Sequence, residues 1–494
     1  MTGTVDGRPS DPVPLLIDGE PVDAADGGTF PVVDPATGEE NARVAAGTAA
    51  DIDRAVESAR DAADAWAARD PVERGRVLRD VSAALFDATQ RLARLETLDG
   101  GKPLSEARDD AESLARYFEY YAGLADKIHG ETVPHGTEYV DYTVREPLGV
   151  TAHILPWNFP LLLFGRSVGP AVAAGNATVV KPAILTPRTA VEATRVAIDA
   201  GLPPGVINVV PGSGSEAGSA LAGHEGVGGV SFTGSVPTGK AVGKAAVSNL
   251  NPVHLELGGN APNVVFPDAD FGTAVENALT AAFTNAGQAC SAGPRLLVHR
   301  DVHDEFVDEL VARAERLSLG PGIEDPDVGP VASRSQFESV TSAIASARDE
   351  VGEPVTGGEP LDRNGFFVEP TVFDRVDHDA EIARTEVFGP VLTVTTFADE
   401  SEAIALANDT QYGLVAGVFT ENLGRAHRFA RDIEAGVVYL NEWFSAGVGS
   451  PFGGYKNSGI GREAGREAVR GFTQTKSVTG SIGTANVSGD GGDE

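Results

Sequence analysis

The sequence is that of an α/β protein with a doubly wound parallel sheet, and three observations predict it. Between residues 150 and 257, short β-rich runs at 150–154, 178–181, 206–210, 229–232 and 253–257 alternate with helical ones, the pattern of parallel strands joined by helical crossovers. From Asn263 onward the alternation resumes in a second α/β unit, with strands at 263–266, 295–299, 392–397 and 437–440. The length of 494 residues exceeds what one hydrophobic core holds, so about two or three domains are expected.

The elements follow in order. Residues 50–68 and 71–98 read as two helices, the second with Val77, Leu78, Val81, Leu85, Leu92 and Leu95 at helical spacing before Gly100-Gly101 stops it. A third helix, 105 to 127, carries Leu114, Phe118, Tyr121 and Leu124 on one face, and 139–144 then reads as a strand. In the second unit a helix is expected over 301–317 with Asp301 as its N-cap. The Gly-, Ser- and Asp-rich end, 479–494, reads as a frayed tail. No internal repeat is evident.

Composition narrows the function. The formal net charge is −34, and lysine stands only at 102, 127, 181, 240, 244, 456 and 476. Such an acidic surface repels nucleic acid and anionic membrane, and it repels itself unless salt screens it, so a halophilic protein is expected. The polar start lacks the basic and apolar stretches of a signal peptide, and no run approaches the roughly 18 apolar residues of a membrane span. With one cysteine there is no disulfide within the chain, and the cytoplasm is the expected compartment.

That cysteine, Cys290, lies in Asn-Ala-Gly-Gln-Ala-Cys, after the apolar helical run Val275, Ala278, Leu279, Ala282 and Phe283. An isolated cysteine is usually a small buried hydrophobe, but the flexible and polar neighbours Gly287, Gln288 and Gly293 put this one at a helix-to-loop edge, where chemistry is exposed. Glu256 stands at the end of a strand in His-Leu-Glu-Leu-Gly-Gly-Asn, where the glycines allow close backbone approach. Pro156-Trp157-Asn158-Phe159-Pro160, Lys181-Pro182, Phe232-Thr233-Gly234-Ser235, Glu386-Val387-Phe388-Gly389-Pro390 and Pro451-Phe452-Gly453-Gly454 accompany them.

These motifs, in this order and spacing, resemble those of the aldehyde dehydrogenase superfamily over roughly residues 16 to 478, far more than a single glycine motif would support. The resemblance implies a Rossmann-like cofactor domain over 1–128 and 148–258 and a second, catalytic α/β domain over 259–457. It also implies a small β oligomerisation segment over 129–147 and 472–484, with a disordered tail at 485–494. It makes Cys290 the nucleophile toward an aldehyde carbonyl, Glu256 the base that activates water against a thioester, and Asn158 the oxyanion donor. Members that pass the acyl group to coenzyme A usually lack this glutamate, so hydrolysis to a free acid is expected.

The cofactor would be held by Lys181 at the adenosine ribose, Gly234 and Ser235 at the phosphates, Glu386 and Phe388 at the nicotinamide end, and Trp157 with Pro156 beside them. Gly212-Ser213-Gly214, after a strand of its own, is a competing glycine pattern whose spacing runs one residue long to Gly218. Many NAD-preferring members place a glutamate three residues after the lysine; Ile184 stands there, so NAD and NADP are both candidate cofactors. The partner is a small-molecule aldehyde and the assembly a homodimer or homotetramer.

By the same resemblance Phe159, Leu162, Leu163, Phe444 and Phe452 line the aldehyde tunnel. Arg166 falls on the same helix face as Leu162 and Leu163 and matches an arginine that grips the substrate carboxylate in succinate-semialdehyde dehydrogenases. A second arginine of those enzymes is Thr284 here, and their loop serine is replaced by Ala446 and Gly447. Arg166 therefore offers half of an anion site, the alternative being a salt bridge to a neighbouring acid. Glu463, among Arg462, Arg466 and Glu467, reads as part of a solvated charged helix face, although some members place a glutamate there on a proton route. His299 and His303 have helical i, i+4 spacing but no third ligand, so no metal is expected. A cysteine esterase working without cofactor is the second enzyme class the same residues would allow.

The charge generates the first prediction. The melting temperature should fall as KCl is lowered from molar to millimolar concentrations, because screening of the surface carboxylates is then lost. A melting temperature independent of KCl would remove the halophilic expectation.

Overall fold

In the computed structural model, which describes residues 12–483, an eight-stranded sheet runs in the order Gly459–Ile460, Val253–Glu256, Gly229–Thr233, Val150–Ile154, Ala177–Lys181, Ile207–Val209, Leu15–Ile17, Glu20–Val22. Its five inner strands are parallel and its flanking strands antiparallel. The three central strands are buried at every position, as helices on both faces require. From Val150–Ile154 the chain winds outward through Ala177–Lys181 to Ile207–Val209. It then returns to lay Gly229–Thr233 on the other side. Strand order reverses there, and the crevice at the carboxyl ends of strands flanking such a switch is where open α/β sheets bind ligands.

The second sheet has six parallel strands, in the order Thr371–Phe373, Val391–Phe397, Arg295–His299, Pro262–Val265, Val415–Phe419, Val437–Leu440. It reverses direction between Pro262–Val265 and Val415–Phe419. Only residues 257–261 separate the last parallel strand of the first sheet from the first strand of the second, which sets the carboxyl ends of one against the start of the other.

Several expectations are corrected. The helix expected over 71–98 is two, Pro71–Asp87 and Thr89–Gly100, joined at Ala88. Leu78, Val81, Leu85, Leu92 and Ala93 all enter one core, and a bend that keeps the buried face inward leaves the periodicity unchanged. Gly101, at φ 86, ends the second helix as expected. The next helix, Leu104–Ala122, stops short and is followed by a single 3-10 turn, Ala125–Lys127. Asp301 does not cap: the helix is His303–Ala314, pinned where His303 Nε2 meets Asp374 at 2.7 Å.

At the far end, Tyr139–Pro147 pairs along its whole length with Thr473–Ser481 in a separate antiparallel ribbon. Residues 479–481, expected to be frayed, are thus strand; 484–494 lie outside the described residues. Gly459–Ile460, in a stretch that the expected domain boundaries leave unassigned, edges the first sheet beside Glu256.

Candidate active site

Glu256 is the last residue of its strand, and its carbonyl accepts from the Gly234 N–H at 3.0 Å, so the base candidate and the phosphate-loop candidate share one strand end. The glycines that follow are obligatory by contact. A Cβ on Gly258 would lie 2.1 Å from Glu386 Oε2, and one on Gly259 would lie 2.2 Å from the Cys290 carbonyl oxygen. Glu386 Oε1 accepts from the Gly259 N–H at 2.9 Å. The connection between the sheets is therefore also the place where Glu386 and Cys290 converge.

Cys290 arrives from the other sheet. Helix Phe271–Phe283 ends, the chain passes through a left-handed segment, and the thiol sits partly buried ahead of strand Arg295–His299. It packs in one cluster with Phe444, Phe452 and Trp443. Asn158 is buried at the crevice, and its Nδ2 donates to the Gln288 carbonyl, two residues before the thiol, at 3.0 Å. An amide has two N–H groups, so one remains for an oxyanion.

The electrostatics are those of a buried acidic cluster opposed chiefly by Arg166. Burial pushes the Cys290 thiol up to about 12; Arg166 opposes this, while Glu256, Glu386 and Glu463 add to it. Burial also raises Glu256 well above the usual carboxylate range, with Glu463 reinforcing and Arg166 and Arg462 opposing. Its Oε2 has no hydrogen-bond partner among the described residues. Glu386 is raised by burial to about 7. At neutral pH Cys290 rests as a thiol, and burial favours the protonated form of Glu256.

The crevice residues suit a dinucleotide. Lys181 is buried, its hydrogen bond is a long one to the Gly212 carbonyl at 3.4 Å, and burial lowers its pKa to about 8: a cation short of acceptors. Ser235 precedes helix Val236–Ser248, and its hydroxyl donates to Thr238 Oγ1 instead of capping, leaving the first backbone N–H groups to a ligand. Trp157, beside Pro156, meets the Phe388 ring edge-on at 5.4 Å, and Phe388 is held at φ 56. The competing pattern at Gly212 forms one wide helical turn, Gly214–Gly218, capped by Ser213 Oγ.

The tunnel residues fare unequally. Phe444 and Phe452 flank the thiol, and Leu162 packs in the cluster that includes Phe452. Leu163 is buried, and one face of Phe159 is taken by the Lys102 ammonium 4.1 Å from its ring.

One expectation reverses, and it bears on Arg166. Glu463 is no solvated residue but 1% exposed, and it accepts from Arg166 Nε at 2.7 Å. Arg166, 6% exposed, lies 4.4 Å over the Phe452 ring, bonded to Glu463 through Nε while its buried Nη2 has no hydrogen-bond partner among the described residues. Its charge is thus answered by a neighbouring acid, the second of the two readings its sequence position allows. Charge runs near Glu463 misled because Arg466 and Glu467, its sequence neighbours, are indeed exposed, whereas the chain turns Glu463 inward. His299 Nε2 faces the Ala398 carbonyl at 2.8 Å, and no cluster able to hold a metal occurs among the described residues.

Sequence reasoning missed Lys102, Glu106, Asn285 and Ser458. Ser458 Oγ donates to the Gly258 carbonyl at 2.7 Å and accepts from the Gly413 N–H at 2.9 Å, stapling the inter-sheet connection. These contacts join residues far apart in the chain, and no local pattern announces them.

A buried thiol set against a base at the junction of two doubly wound sheets, with a phosphate-ready crevice alongside, defines a thiol enzyme that uses a dinucleotide. The sequence profile of the aldehyde dehydrogenase family matches residues 22–478. The chain is 48% identical over 471 residues to aldehyde dehydrogenase family 2 member B4, mitochondrial, of Arabidopsis thaliana, covering 94% of this chain and 87% of that one. It is 46% identical to the betaine aldehyde dehydrogenase of Cereibacter sphaeroides, with 94% and 96% covered. The NAD+ complex structure of aldehyde dehydrogenase from Bacillus cereus superposes with a TM-score of 0.94 at 40% identity, covering 96% of this chain and 97% of that one. The chain belongs to the aldehyde dehydrogenase family, and its activity is NAD(P)-dependent oxidation of an aldehyde.

The buried pair gives a stability prediction. Glu463→Ala should destabilise the fold by roughly 3–5 kcal/mol, because it strands a buried guanidinium. Arg166→Met combined with Glu463→Ala should lose less than the sum of the single losses. Chemical unfolding measures both, and additive losses would show that the two side chains do not act as a pair.

Proposed function

We propose that this enzyme oxidises an uncharged aliphatic or aromatic aldehyde to its carboxylate, with Cys290 as nucleophile, Asn158 as oxyanion donor and Glu256 as hydrolytic base. The observation that carries the reading is the convergence, from two separate sheets, of the single thiol and a buried glutamate with an unpartnered oxygen.

The Cys290 thiol gives up its proton to solvent, the sulfur adds to the carbonyl carbon, and the carbonyl oxygen becomes an oxyanion that accepts from Asn158 Nδ2–H and the Cys290 N–H. When bound, the nicotinamide of NAD(P)+ accepts the hydride that leaves the former aldehyde carbon. Glu256 then takes a proton from the water that attacks the Cys290 thioester, and the carboxylate leaves as the thiol is restored. Lys181, Gly234, Ser235, Glu386, Phe388, Trp157 and Pro156 hold the dinucleotide. Ile184 is exposed beside Lys181 and offers no carboxylate against a 2′-phosphate, so both NAD and NADP serve.

Phe444, Phe452 and Leu162 favour an apolar substrate, and the neutralised Arg166 gives a carboxylate-bearing one no net charge to bind. The ribbon Tyr139–Pro147 exposes Tyr139, Val140 and Tyr142, which supports its role, with Thr473–Ser481, as the oligomerisation segment of a homodimer or homotetramer. The cofactor and catalytic domains divide between the two sheets. The charge of −34 supports a halophilic protein. Among the described residues no helix is long and apolar enough to cross a membrane; the lone cysteine supports a cytoplasmic setting.

Two variants and a pH profile test this. Cys290→Ala should abolish dehydrogenation while retaining cofactor binding. Glu256→Gln should release one equivalent of NAD(P)H per site and then stall at the thioester; steady turnover near wild type in either variant would remove that residue from its role. Because both groups act deprotonated and burial raises both, wild-type turnover should rise with pH from neutral into the alkaline range, and a fall over that range would contradict the assignments.

For Arg166→Met, the ratio of kcat/KM between a semialdehyde acid and its uncharged analogue should change by less than about tenfold, or ~1.4 kcal/mol. A larger selective loss for the acid would make Arg166 a reader of substrate charge after all.

A further inference from the structure

The segment that leads to the nucleophile is strained. Asn285, Ala286 and Gly287 have φ of 51, 53 and 73 in succession, a conformation that only glycine adopts without steric penalty. No side chain is possible at Gly287, where a Cβ would lie 2.0 Å from the Gly389 carbonyl oxygen. Such a turn persists only where its surroundings over-determine it.

The surroundings are specific. The Asn285 N–H points between the two carboxylate oxygens of Glu106, at 2.9 and 3.2 Å. Asn285 Nδ2 donates to the Asn158 carbonyl at 2.9 Å, and Gln288 Nε2 donates to the Asn285 carbonyl at 2.9 Å. Gln288 Oε1 in turn accepts from the Ala332 N–H at 2.8 Å. The Gln288 carbonyl receives Asn158 Nδ2. Asn158 is thus gripped at backbone and side chain by the strained segment that delivers Cys290.

Glu106 is the carboxylate of this set, and it reaches the segment from a distant helix. It lies in the first turn of helix Leu104–Ala122, which packs along helix Pro160–Ala173. Just before that helix, Lys102 is locked by Glu96 and Asp110. The carboxylate of Glu106 therefore sits on a rigid base. Burial raises its pKa to about 7, with Lys102 and the Asn285 N–H opposing.

We propose that Glu106 is a positioning residue for the oxyanion pocket: by holding the Asn285 N–H, its carboxyl group fixes the left-handed turn that aims the Asn158 amide and the Cys290 N–H at the reacting oxygen. This rests on the roles of Cys290 and Asn158 given under the proposed function.

Two reactions of the same thiol separate the effect. Acylation by p-nitrophenyl acetate passes through an oxyanion, whereas alkylation by iodoacetamide displaces iodide from a saturated carbon and forms none. Glu106→Ala should slow acylation about tenfold or more, with alkylation and NAD+ binding within about twofold of wild type. Glu106→Gln, which keeps a carbonyl acceptor, should restore most of the acylation rate. Asn158→Ala with Glu106→Ala should be slowed by less than the product of the two single effects, because the two residues share one pocket. Where Glu106→Ala does not fold, Glu106→Asp, one methylene too short to reach Asn285, carries the same comparison. Unchanged acylation, a parallel loss of acylation and alkylation, or full multiplication of the two single effects would each overturn the proposal. Acylation lost in Asn158→Ala but kept in Glu106→Ala would remove Glu106 alone, and acylation unchanged in Asn158→Ala would remove the oxyanion assignment with it.

Discussion

The active site depends on a single buried ion pair. Burial raises the Cys290 thiol and Glu256, with Glu256, Glu386 and Glu463 adding to the thiol's shift and Glu463 to that of Glu256, and Arg166 opposes both shifts. Several buried carboxylates near a thiol would repel strongly in a poorly solvated junction. The contact between Arg166 Nε and Glu463 at 2.7 Å offsets one negative charge in that sum. Burial favours the neutral forms of the thiol and of Glu256 over unpaired buried charges. Buried ion pairs seldom add net stability over an apolar substitute, which makes the local field, rather than stability, the reason this one suits the site.

The same pair explains why the end of the chain returns to the first sheet. Glu463 follows Gly459–Ile460, which edges the sheet beside Glu256, and helix Gly465–Gly471 then packs on the helix that carries Arg166. The Tyr121 hydroxyl donates to the Gly465 carbonyl at 3.2 Å, and Asn176 Nδ2 donates to the Phe472 carbonyl at 2.9 Å. This return brings Phe452 over the guanidinium and Gly453 against Glu256, where a Cβ would lie 2.8 Å from Oε1. The base is thereby walled by backbone on one side and left without a partner at Oε2.

Much of this was legible in the sequence, for identifiable reasons. The parallel strands are continuous apolar runs because both faces are covered, so all five of the first sheet were located to within a residue or so. Cys290, Glu256 and Asn158 could be singled out because each stands in a local motif. What escaped lies in two classes. Short edge elements such as Leu15–Ile17, Glu20–Val22 and Gly459–Ile460 take their conformation from a partner strand more than from their own pattern. Contacts such as Glu106 to Asn285, 179 residues apart, and Arg166 to Glu463 leave no local trace. The Asn-Ala-Gly run did announce a turn, but not the carboxylate that holds it.

The surface and the interior of this protein meet opposite electrostatic demands. A chain of net charge −34 has to receive a dinucleotide whose phosphates are themselves anionic. Surface lysines would be a weak answer, because neighbouring carboxylates compete for them and high salt screens them. Lys181 is instead buried at the crevice, away from those carboxylates, with a single carbonyl at 3.4 Å for company. Interactions there are screened far less than those on the surface, and the uncapped start of helix Val236–Ser248 adds dipoles that salt cannot strip away as it does mobile surface charge. On the proposed assignment of these residues, attraction for the anionic cofactor comes from the protein's interior, which leaves the surface free to be as acidic as it is.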